Sequence, residues 1–204
     1  MGALRKAPAG GIVRTSLDNS WKTPQKILER VRLYFCSGKI EFDPASAPDN
    51  PTGAERFCAG APGTLFAADL PAEDLARRNG LEVAWDWPTF LNPPYGRELK
   101  DWLAKIRDEA RRGTEIVALL PCSRWEQGYL QAALLDATAM CLIRGRVAFV
   151  SSIDGAAVGG NPYASMLVAW CASPVRFRGA FDALGTCLAI DRIKGSWTPP
   201  KSAT

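Results

Sequence analysis

The sequence predicts an open, doubly wound α/β sheet that is mostly parallel, with an antiparallel edge formed by the late strands. Predicted strands and helices alternate through most of the 204 residues, which is typical of parallel strands joined by crossover helices. The strand predicted over residues 114–121 is a continuous apolar run, as expected where both faces of a sheet are covered. A hydrophobic content of 47% is sufficient for one well-cored domain.

The predicted elements begin with a helix. Thr23 and Pro24 supply an N-cap and a first helical residue, and apolar residues recur at helical spacing as far as a stop at Gly38. Residues 44–85 are rich in Pro, Gly and Ala and have the weakest pattern. The other elements are, in order, a strand over 39–43, a short helix over 73–78, short strands over 81–85 and 89–92, a helix over 99–113, a strand over 114–121, a helix over 125–135, and strands over 139–143, 146–150 and 165–171.

One folded domain is predicted over residues 21–194. Residues 1–20 are rich in Gly, Ala, Ser and basic side chains, and residues 195–204 contain Thr-Pro-Pro-Lys-Ser, so both ends are predicted to be flexible. No basic-apolar-small leader opens the chain and no apolar run reaches the ~18 residues of a membrane span, so we expect a cytoplasmic protein. The sequence leaves the oligomeric state open.

The composition excludes several kinds of chemistry. The chain has no histidine, which removes Ser-His-Asp and Cys-His hydrolases and zinc deaminases with a His ligand. Its six cysteines lack the paired spacing of a zinc site, so we predict a reduced, intracellular protein with no metal. The net charge of +4 permits an anionic partner without requiring one. Any reaction is therefore expected to need little proton transfer, or to use carboxylates.

The tetrapeptide Asn92-Pro93-Pro94-Tyr95 ends an apolar run. The amide oxygen of Asn92 and a backbone carbonyl of the Pro pair can each accept one N–H of an exocyclic amine, while Tyr95 can stack on a heterocycle. The two prolines fix φ near about −65° and hold these acceptors in place. The same residues also form ordinary loops after strands, and a tyrosine in this position can simply cap a core.

A second motif, Asp43-Pro44-Ala45-Ser46, follows another predicted strand. Because ligands of doubly wound sheets bind beyond the carboxyl ends of the strands, the two motifs would face one crevice if their strands are neighbours. The aspartate can bind a cationic amine or ribose hydroxyls, and the small Ala45 and Ser46 let backbone approach a ligand closely. The alternative to a ligand-binding motif is an ordinary Asp-Pro turn that opens a loop. For Thr23 and Pro24, the alternative to a binding role is a plain helix cap.

Further residues share an order with these two motifs. The full order is Trp21-Lys22-Thr23-Pro24, Phe42-Asp43-Pro44-Ala45-Ser46, Asp86-Trp87, Phe90-Leu91-Asn92-Pro93-Pro94-Tyr95-Gly96, Trp102, Leu119-Leu120-Pro121 and Gly145-Arg146-Val147-Ala148-Phe149. In this order the chain resembles the phage Dam-type DNA N6-adenine methyltransferases over residues 21–170. The resemblance implies an S-adenosylmethionine-dependent methyltransferase with a Rossmann-like sheet, acting on adenine N6 in DNA.

The resemblance also implies roles for individual residues. It places Thr23, Pro24 and the motif that begins at Asp43 on the cofactor side, and the motif that begins at Asn92 on the target amine. Asp86 is expected either near the adenine of the cofactor or in a surface turn. One departure is the absence of the Gly-rich continuation that many amino-methyltransferases carry after the first motif.

Contacts with DNA are predicted from basic residues. Arg144 and Arg146 rank first because they flank a predicted strand start; Arg111, Arg112, Arg176 and Arg178 are further candidates for phosphate contacts or simply solvated charges. The segments 47–80 and 155–163 are the predicted regions for target recognition. The same pocket for a planar amine would also accept cytosine N4, an RNA base or a protein glutamine, and a relative without catalysis would keep only DNA binding.

Overall fold

The computed structural model describes residues 21–60, 74–124, 126–151 and 164–191. The helices are α1 (Gln25–Tyr34), α2 (Leu99–Arg111), α3 (Gly128–Leu134) and α4 (Pro174–Phe181). The strands are β1 (Trp21–Lys22), β2 (Phe42–Asp43), β3 (Arg56–Phe57), β4 (Thr89–Leu91), β5 (Ile116–Pro121), β6 (Ala139–Ile143), β7 (Val150–Ser151), β8 (Ser165–Trp170) and β9 (Gly185–Ala189). Short 3-10 turns cover Leu75–Arg77 and Cys122–Arg124.

Seven strands form one sheet in the order β3-β2-β4-β5-β8-β6-β9. The strands β3, β2, β4 and β5 are parallel neighbours. β8 is antiparallel to both β5 and β6, so β6 runs in the same direction as the first four strands, and β9 is antiparallel to β6. The sheet is therefore mostly parallel with antiparallel later strands, as predicted; β9 forms the antiparallel edge and β8 adds an antiparallel strand inside the sheet.

Helices cover both faces of this sheet. Val117 and Leu119 of β5 belong to the buried cluster that includes α1 and α4, whereas Ala118 and Leu120 belong to the cluster that includes α2 and α3. Because successive residues of a strand point to opposite faces, both sets of β5 side chains are buried. This arrangement explains why the sequence of β5 is apolar throughout rather than alternating.

The first helix differs from its prediction at both ends. Pro24, not Thr23, occupies the N-cap position, with a ψ of 143° and no side-chain hydrogen bond, and the helix begins at Gln25. Thr23 is instead a buried residue that precedes the helix. The helix ends at Tyr34, before the predicted stop at Gly38, which adopts a φ of 70° in the turn that follows.

The other elements follow the predictions unevenly. β6 has the predicted bounds, and α2 and β5 lie within their predicted segments. β2 keeps only two residues of the strand predicted over 39–43, and residues 81–85 form turns and irregular backbone in place of the predicted strand. The strands β1, β3 and β9 and the helix α4 were not predicted. A strand of two residues has no alternation to detect, which is why β1 and β3 escaped the sequence pattern.

Several predicted features lie outside the described residues. They are segments 1–20 and 195–204, which the sequence predicts to be flexible, Trp125 at the start of the predicted third helix, and, of the predicted recognition segments, residues 61–73 and 155–163. Across the part of the chain that the structure describes, no helix combines the length and apolarity needed to cross a bilayer.

Candidate active site

The two motifs singled out in the sequence follow neighbouring strands. Phe42 of β2 pairs with Thr89 of β4 in parallel register. The chain leaves β2 after Asp43 and leaves β4 just before Asn92, so both motifs begin at the carboxyl edge of the sheet. This confirms the condition under which the two motifs share one crevice.

The carboxyl group of Asp43 is buried inside its own loop. Its Oδ1 accepts a hydrogen bond from the backbone N–H of Ala45 at 3.0 Å, and its Oδ2 accepts one from the hydroxyl of Thr52 at 2.8 Å. Burial raises the pKa of Asp43 from 3.8 to about 6, and hydrogen bonds from Thr52, Ala45 and Ser46 oppose that rise. The Asp43 side chain therefore fixes the shape of the loop, and the negative charge of its carboxylate lies beneath the loop backbone.

The backbone of this loop is held from two further directions. Ser46 donates its N–H to the carbonyl of Cys58 at 3.0 Å, and Cys58 donates to the carbonyl of Asp43 at 3.0 Å. Gly80 lies so close that a Cβ on it would stand 1.9 Å from the carbonyl oxygen of Pro44. Only glycine fits this contact, so the Asp43 loop is clamped between β3 and the segment around Gly80.

The Asn92 to Tyr95 turn is also anchored. The hydroxyl of Tyr95 donates to the carbonyl of Leu119 at 3.2 Å, and its ring meets Phe149 edge-on with 6.1 Å between centroids. Burial raises the pKa of the Tyr95 phenol, so it stays protonated and can keep donating. Oδ1 of Asn92 is buried in this structure, although the residue as a whole is half-buried. A base amine would thus reach that oxygen only after the Asn92 side chain rotates or its surroundings shift.

The entry to α1 joins the same edge. Lys22 forms an ion pair with Asp49, in the loop that follows β2, and it also pairs with Val150 across β1 and β7. Phe149, which contacts Tyr95, directly precedes Val150. These contacts connect the residue before Thr23 to the loop after β2 and to the strand that follows Phe149.

Arg144 and Arg146 are exposed residues that follow β6. Since β6 runs in the same direction as β4, both arginines lie at the carboxyl edge of the sheet. Three strand spacings separate β6 from β4 in the strand order, which corresponds to ~14 Å. The arginines therefore share an edge of the sheet with the two motifs and follow a strand three positions away from β4.

Asp86 lies elsewhere, and its exposed position corresponds to the second of its two expected places, at the surface, rather than to the predicted approach to the cofactor. It precedes β4 and so lies at the amino end of the strand, opposite Asn92, where it pairs with Arg112 at 3.7 Å. There it lines a groove of about 390 Å³ together with Trp85, Trp87 and Thr114. The cause is the direction of β4, because residues before a strand and residues after it emerge at opposite edges of a sheet.

The remaining candidate arginines are mostly engaged within the protein. Arg111 pairs with Asp136 at 3.2 Å, and Arg176 pairs with Glu115 and lies 4.8 Å from the ring centre of Tyr34. Among the described residues, no group of three or more Cys, Asp or Glu side chains could hold a metal ion.

Two contributors to this edge, Thr52 and Gly80, were missed by sequence reasoning, and the contact of Phe149 with Tyr95 was not foreseen. Thr52 lies in a segment without periodicity, so no local signal connected it to Asp43, and the strand predicted over 146–150 did not indicate a partner for Phe149. Gly80 follows an asparagine in a turn-like dipeptide, which predicts a turn but not its contact with the Asp43 loop.

The geometry defines a class of α/β protein that binds its ligands beyond the carboxyl ends of adjacent parallel strands. A family model, DNA N-6-adenine-methyltransferase (Dam), matches residues 73–179, just over half of the chain. The chain belongs to this Dam family of DNA adenine N6 methyltransferases, whose substrate is DNA. The matched region includes Asn92, Arg144 and Arg146, whereas Thr23 and Asp43 precede it. No curated protein matches the chain.

Proposed function

We propose that this chain is an active, site-specific DNA adenine-N6 methyltransferase that uses S-adenosylmethionine. One observation carries the proposal: the parallel pairing of β2 with β4 brings the Asp43 motif and the Asn92 motif to the same edge of the sheet. We further propose that residues 21–194 form a single domain and that the sheet is of the Rossmann-like methyltransferase type.

The cofactor side is formed by the loop after β2 and the entry to α1. S-adenosylmethionine carries an ammonium and a sulfonium group, which suit the buried negative charge of Asp43. Ala45 and Ser46 are small and their loop is held by three internal hydrogen bonds, so their backbone can meet a ligand closely.

Thr23 and Pro24 form the other boundary of the cofactor side. They follow Lys22, whose ion pair with Asp49 joins them to the loop after β2. Pro44 contributes rigidity through its contact with Gly80. When bound, the cofactor supplies an electrophilic methyl group.

The amine side is formed by Asn92, Pro93, Pro94 and Tyr95. Once the Asn92 side chain has rotated to expose its amide oxygen, that oxygen and a proline carbonyl would accept the two N–H groups of adenine N6, which moves that nitrogen toward tetrahedral geometry. Its lone pair could then bond in line to the methyl carbon as the bond from that carbon to the cofactor sulfur breaks, its electron pair staying on sulfur. The proton is lost from the cationic product, so no general base is needed before transfer. This mechanism suits a chain without histidine.

Access to a base within a duplex requires that the base be flipped out of the stack. The ring of Tyr95 is fixed by Leu119 and Phe149 and offers a rigid surface on which the flipped base can stack. Arg144 and Arg146 contact phosphates on the flanking DNA.

The acceptor is tested with S-adenosylmethionine labelled in its methyl group. Incubation with DNA, RNA and protein, followed by digestion and location of the label, is expected to yield N6-methyladenine from DNA. Label on cytosine N4, on an RNA base or on glutamine would overturn the adenine assignment. The absence of transfer to all three, with DNA binding intact, would identify a relative that has lost catalysis.

A further inference from the structure

Thr52 is a buried residue of the loop that links β2 to β3. Its hydroxyl donates to Oδ2 of Asp43 at 2.8 Å and stands 3.4 Å from Oδ1 of Asn50. Asp43 is itself only 2% exposed, and Oδ1 of its carboxyl group accepts from Ala45. One carboxylate therefore joins the start of the loop to a residue near its end.

The backbone around Thr52 is fixed independently of Asp43. The carbonyl of Thr52 accepts a hydrogen bond from Nη2 of Arg32 on α1 at 2.8 Å. Asn50, in the left-handed region at φ 45°, exchanges two hydrogen bonds with the backbone of Ala54, at 2.9 and 3.1 Å. Because these contacts set the backbone on either side, the hydroxyl of Thr52 is aimed at Asp43 before any ligand arrives.

We propose that Thr52 is a positioning residue of the methyltransferase: its hydroxyl holds the Asp43 carboxylate in the ionised, loop-bonded state that binds the cofactor. The inference rests on the proposed cofactor site. The residue lies outside both sequence motifs, and it acts through Asp43 rather than by touching the cofactor.

The chemistry of the carboxyl group gives this contact its importance. An ionised carboxylate can accept from Thr52 and Ala45 at once, and it places a negative charge beneath the loop. A protonated carboxyl has lost its charge, and one of its oxygens has become a donor. That O–H would have to donate to the hydroxyl of Thr52, which reverses the direction of the hydrogen bond. Burial raises the pKa of Asp43 to about 6, and the hydrogen bond from Thr52 counteracts that rise.

The other charged and titratable groups around the loop do not replace Thr52. Cys58, beyond β3, has its pKa raised to about 12 by burial, with Asp43 adding to the rise, so it remains a neutral thiol. Arg78 faces Cys58, and Arg32 donates to the carbonyl of Thr52 rather than to the carboxylate. Lys22 pairs with Asp49.

The test measures the dissociation constant of S-adenosylmethionine by calorimetry across a pH series. The variants are Thr52→Val, which keeps the shape but removes the hydroxyl, and Thr52→Ser, which restores it. Thr114→Val is the matched control, because the hydroxyl of Thr114 donates to the carbonyl of Trp85 at the opposite edge of the sheet. At each pH, the dissociation constant of each variant is divided by that of the wild type, so that the titration of the cofactor itself cancels.

Loss of a hydrogen bond to a charged group is expected to raise the pKa of Asp43 by about one unit. Thr52→Val should then bind S-adenosylmethionine about tenfold more weakly than the wild type near about pH 5.5, and about equally near about pH 8.5. Thr52→Ser and Thr114→Val should follow the wild type throughout. If Thr52→Val does not fold, Thr52→Cys replaces it, with the same pH-dependent weakening expected because a thiol is a weak donor.

Two kinds of result overturn the inference. A loss of affinity that is the same at every pH, or no loss, while the wild type binds S-adenosylmethionine, rejects the role of Thr52 and leaves the proposed function standing. Failure of the wild type to bind S-adenosylmethionine at any pH rejects the proposed function, and the inference with it.

Discussion

Phe42 and Thr89 are paired on adjacent parallel strands, which brings the ends of β2 and β4 to one edge of the sheet. Asp43 and Asn92 are far apart in sequence, yet each is at or just beyond the end of its strand. Transfer of a methyl group needs the donor and the acceptor nitrogen in contact and in line. In the proposed mechanism, the pairing of these two strands brings the cofactor side and the amine side together.

The ring and the hydroxyl of Tyr95 are expected to have separable roles. Tyr95→Phe removes the hydrogen bond to the carbonyl of Leu119 and should lower the free energy of unfolding by about 0.5–1.5 kcal/mol while turnover stays within a few-fold of the wild type. Tyr95→Ala also removes the stacking surface, worth about 1–3 kcal/mol per base, so kcat/KM for DNA should fall by on the order of tenfold to a hundredfold.

Urea denaturation and steady-state kinetics on the same DNA distinguish the two variants. If Tyr95→Phe loses as much kcat/KM as Tyr95→Ala, the hydroxyl and not the ring is the functional part of this side chain. If neither variant loses kcat/KM, the half-buried Tyr95 serves the core alone, which was the alternative interpretation of the tetrapeptide.

The alternation of strands and helices was sufficient to predict the sheet and its mainly parallel character. Long elements with a clear pattern, such as α2, β5 and β6, were located well because their burial is visible in the sequence. The position of Asn92 after β4 followed from the same pattern. The neighbouring positions of β2 and β4 did not, because strand order depends on packing between distant segments.

Asp43 is expected to reduce stability at neutral pH. Its pKa is raised from 3.8 to about 6, so the native state holds the proton more tightly and loses stability as the pH rises through that range. A shift of about two units corresponds to about 3 kcal/mol. Relative to Asp43→Asn, the wild type should therefore lose about 3 kcal/mol in free energy of unfolding between about pH 3 and about pH 7.

Chemical denaturation at a series of pH values measures this difference, and calorimetry should show that Asp43→Asn binds S-adenosylmethionine at least about tenfold more weakly at neutral pH. Asp49→Asn is the control for the denaturation series, since the Asp49 side chain is 56% exposed and its pairing with Lys22 contributes little to stability. A parallel pH dependence of wild type and Asp43→Asn would contradict a carboxyl group whose pKa is raised by burial.

Arg144 and Arg146 are expected to contribute to DNA affinity through charge. If each contacts one phosphate, Arg144→Ala and Arg146→Ala should each reduce the slope of log K against log salt by about 1. Arg111→Ala is the matched control, because Arg111 lies on α2 and pairs with Asp136. Binding titrations on one duplex at several salt concentrations provide the slopes, and an equal reduction in all three variants would refute the assignment.

Local pattern could not reveal the contacts that support the site. The hydroxyl of Thr52 and the missing side chain of Gly80 act on the Asp43 loop only once the chain has folded. The same limit applies to Asp86: the sequence left it either near the adenine of the cofactor or in a surface turn, and the direction of β4 places it at the opposite edge of the sheet from Asn92. Positions that depend on the third dimension were therefore the ones that sequence reasoning missed or misplaced.

The most direct test of the account is the yield of N6-methyladenine in DNA treated with S-adenosylmethionine and either the wild type or Asn92→Ala. Loss of the acceptor oxygen should lower turnover by on the order of 10²-fold or more, because it acts on the amine in the transition state. The dissociation constant of S-adenosylmethionine should change only modestly, since the Asp43 loop is untouched. Near-normal turnover by Asn92→Ala would contradict the account.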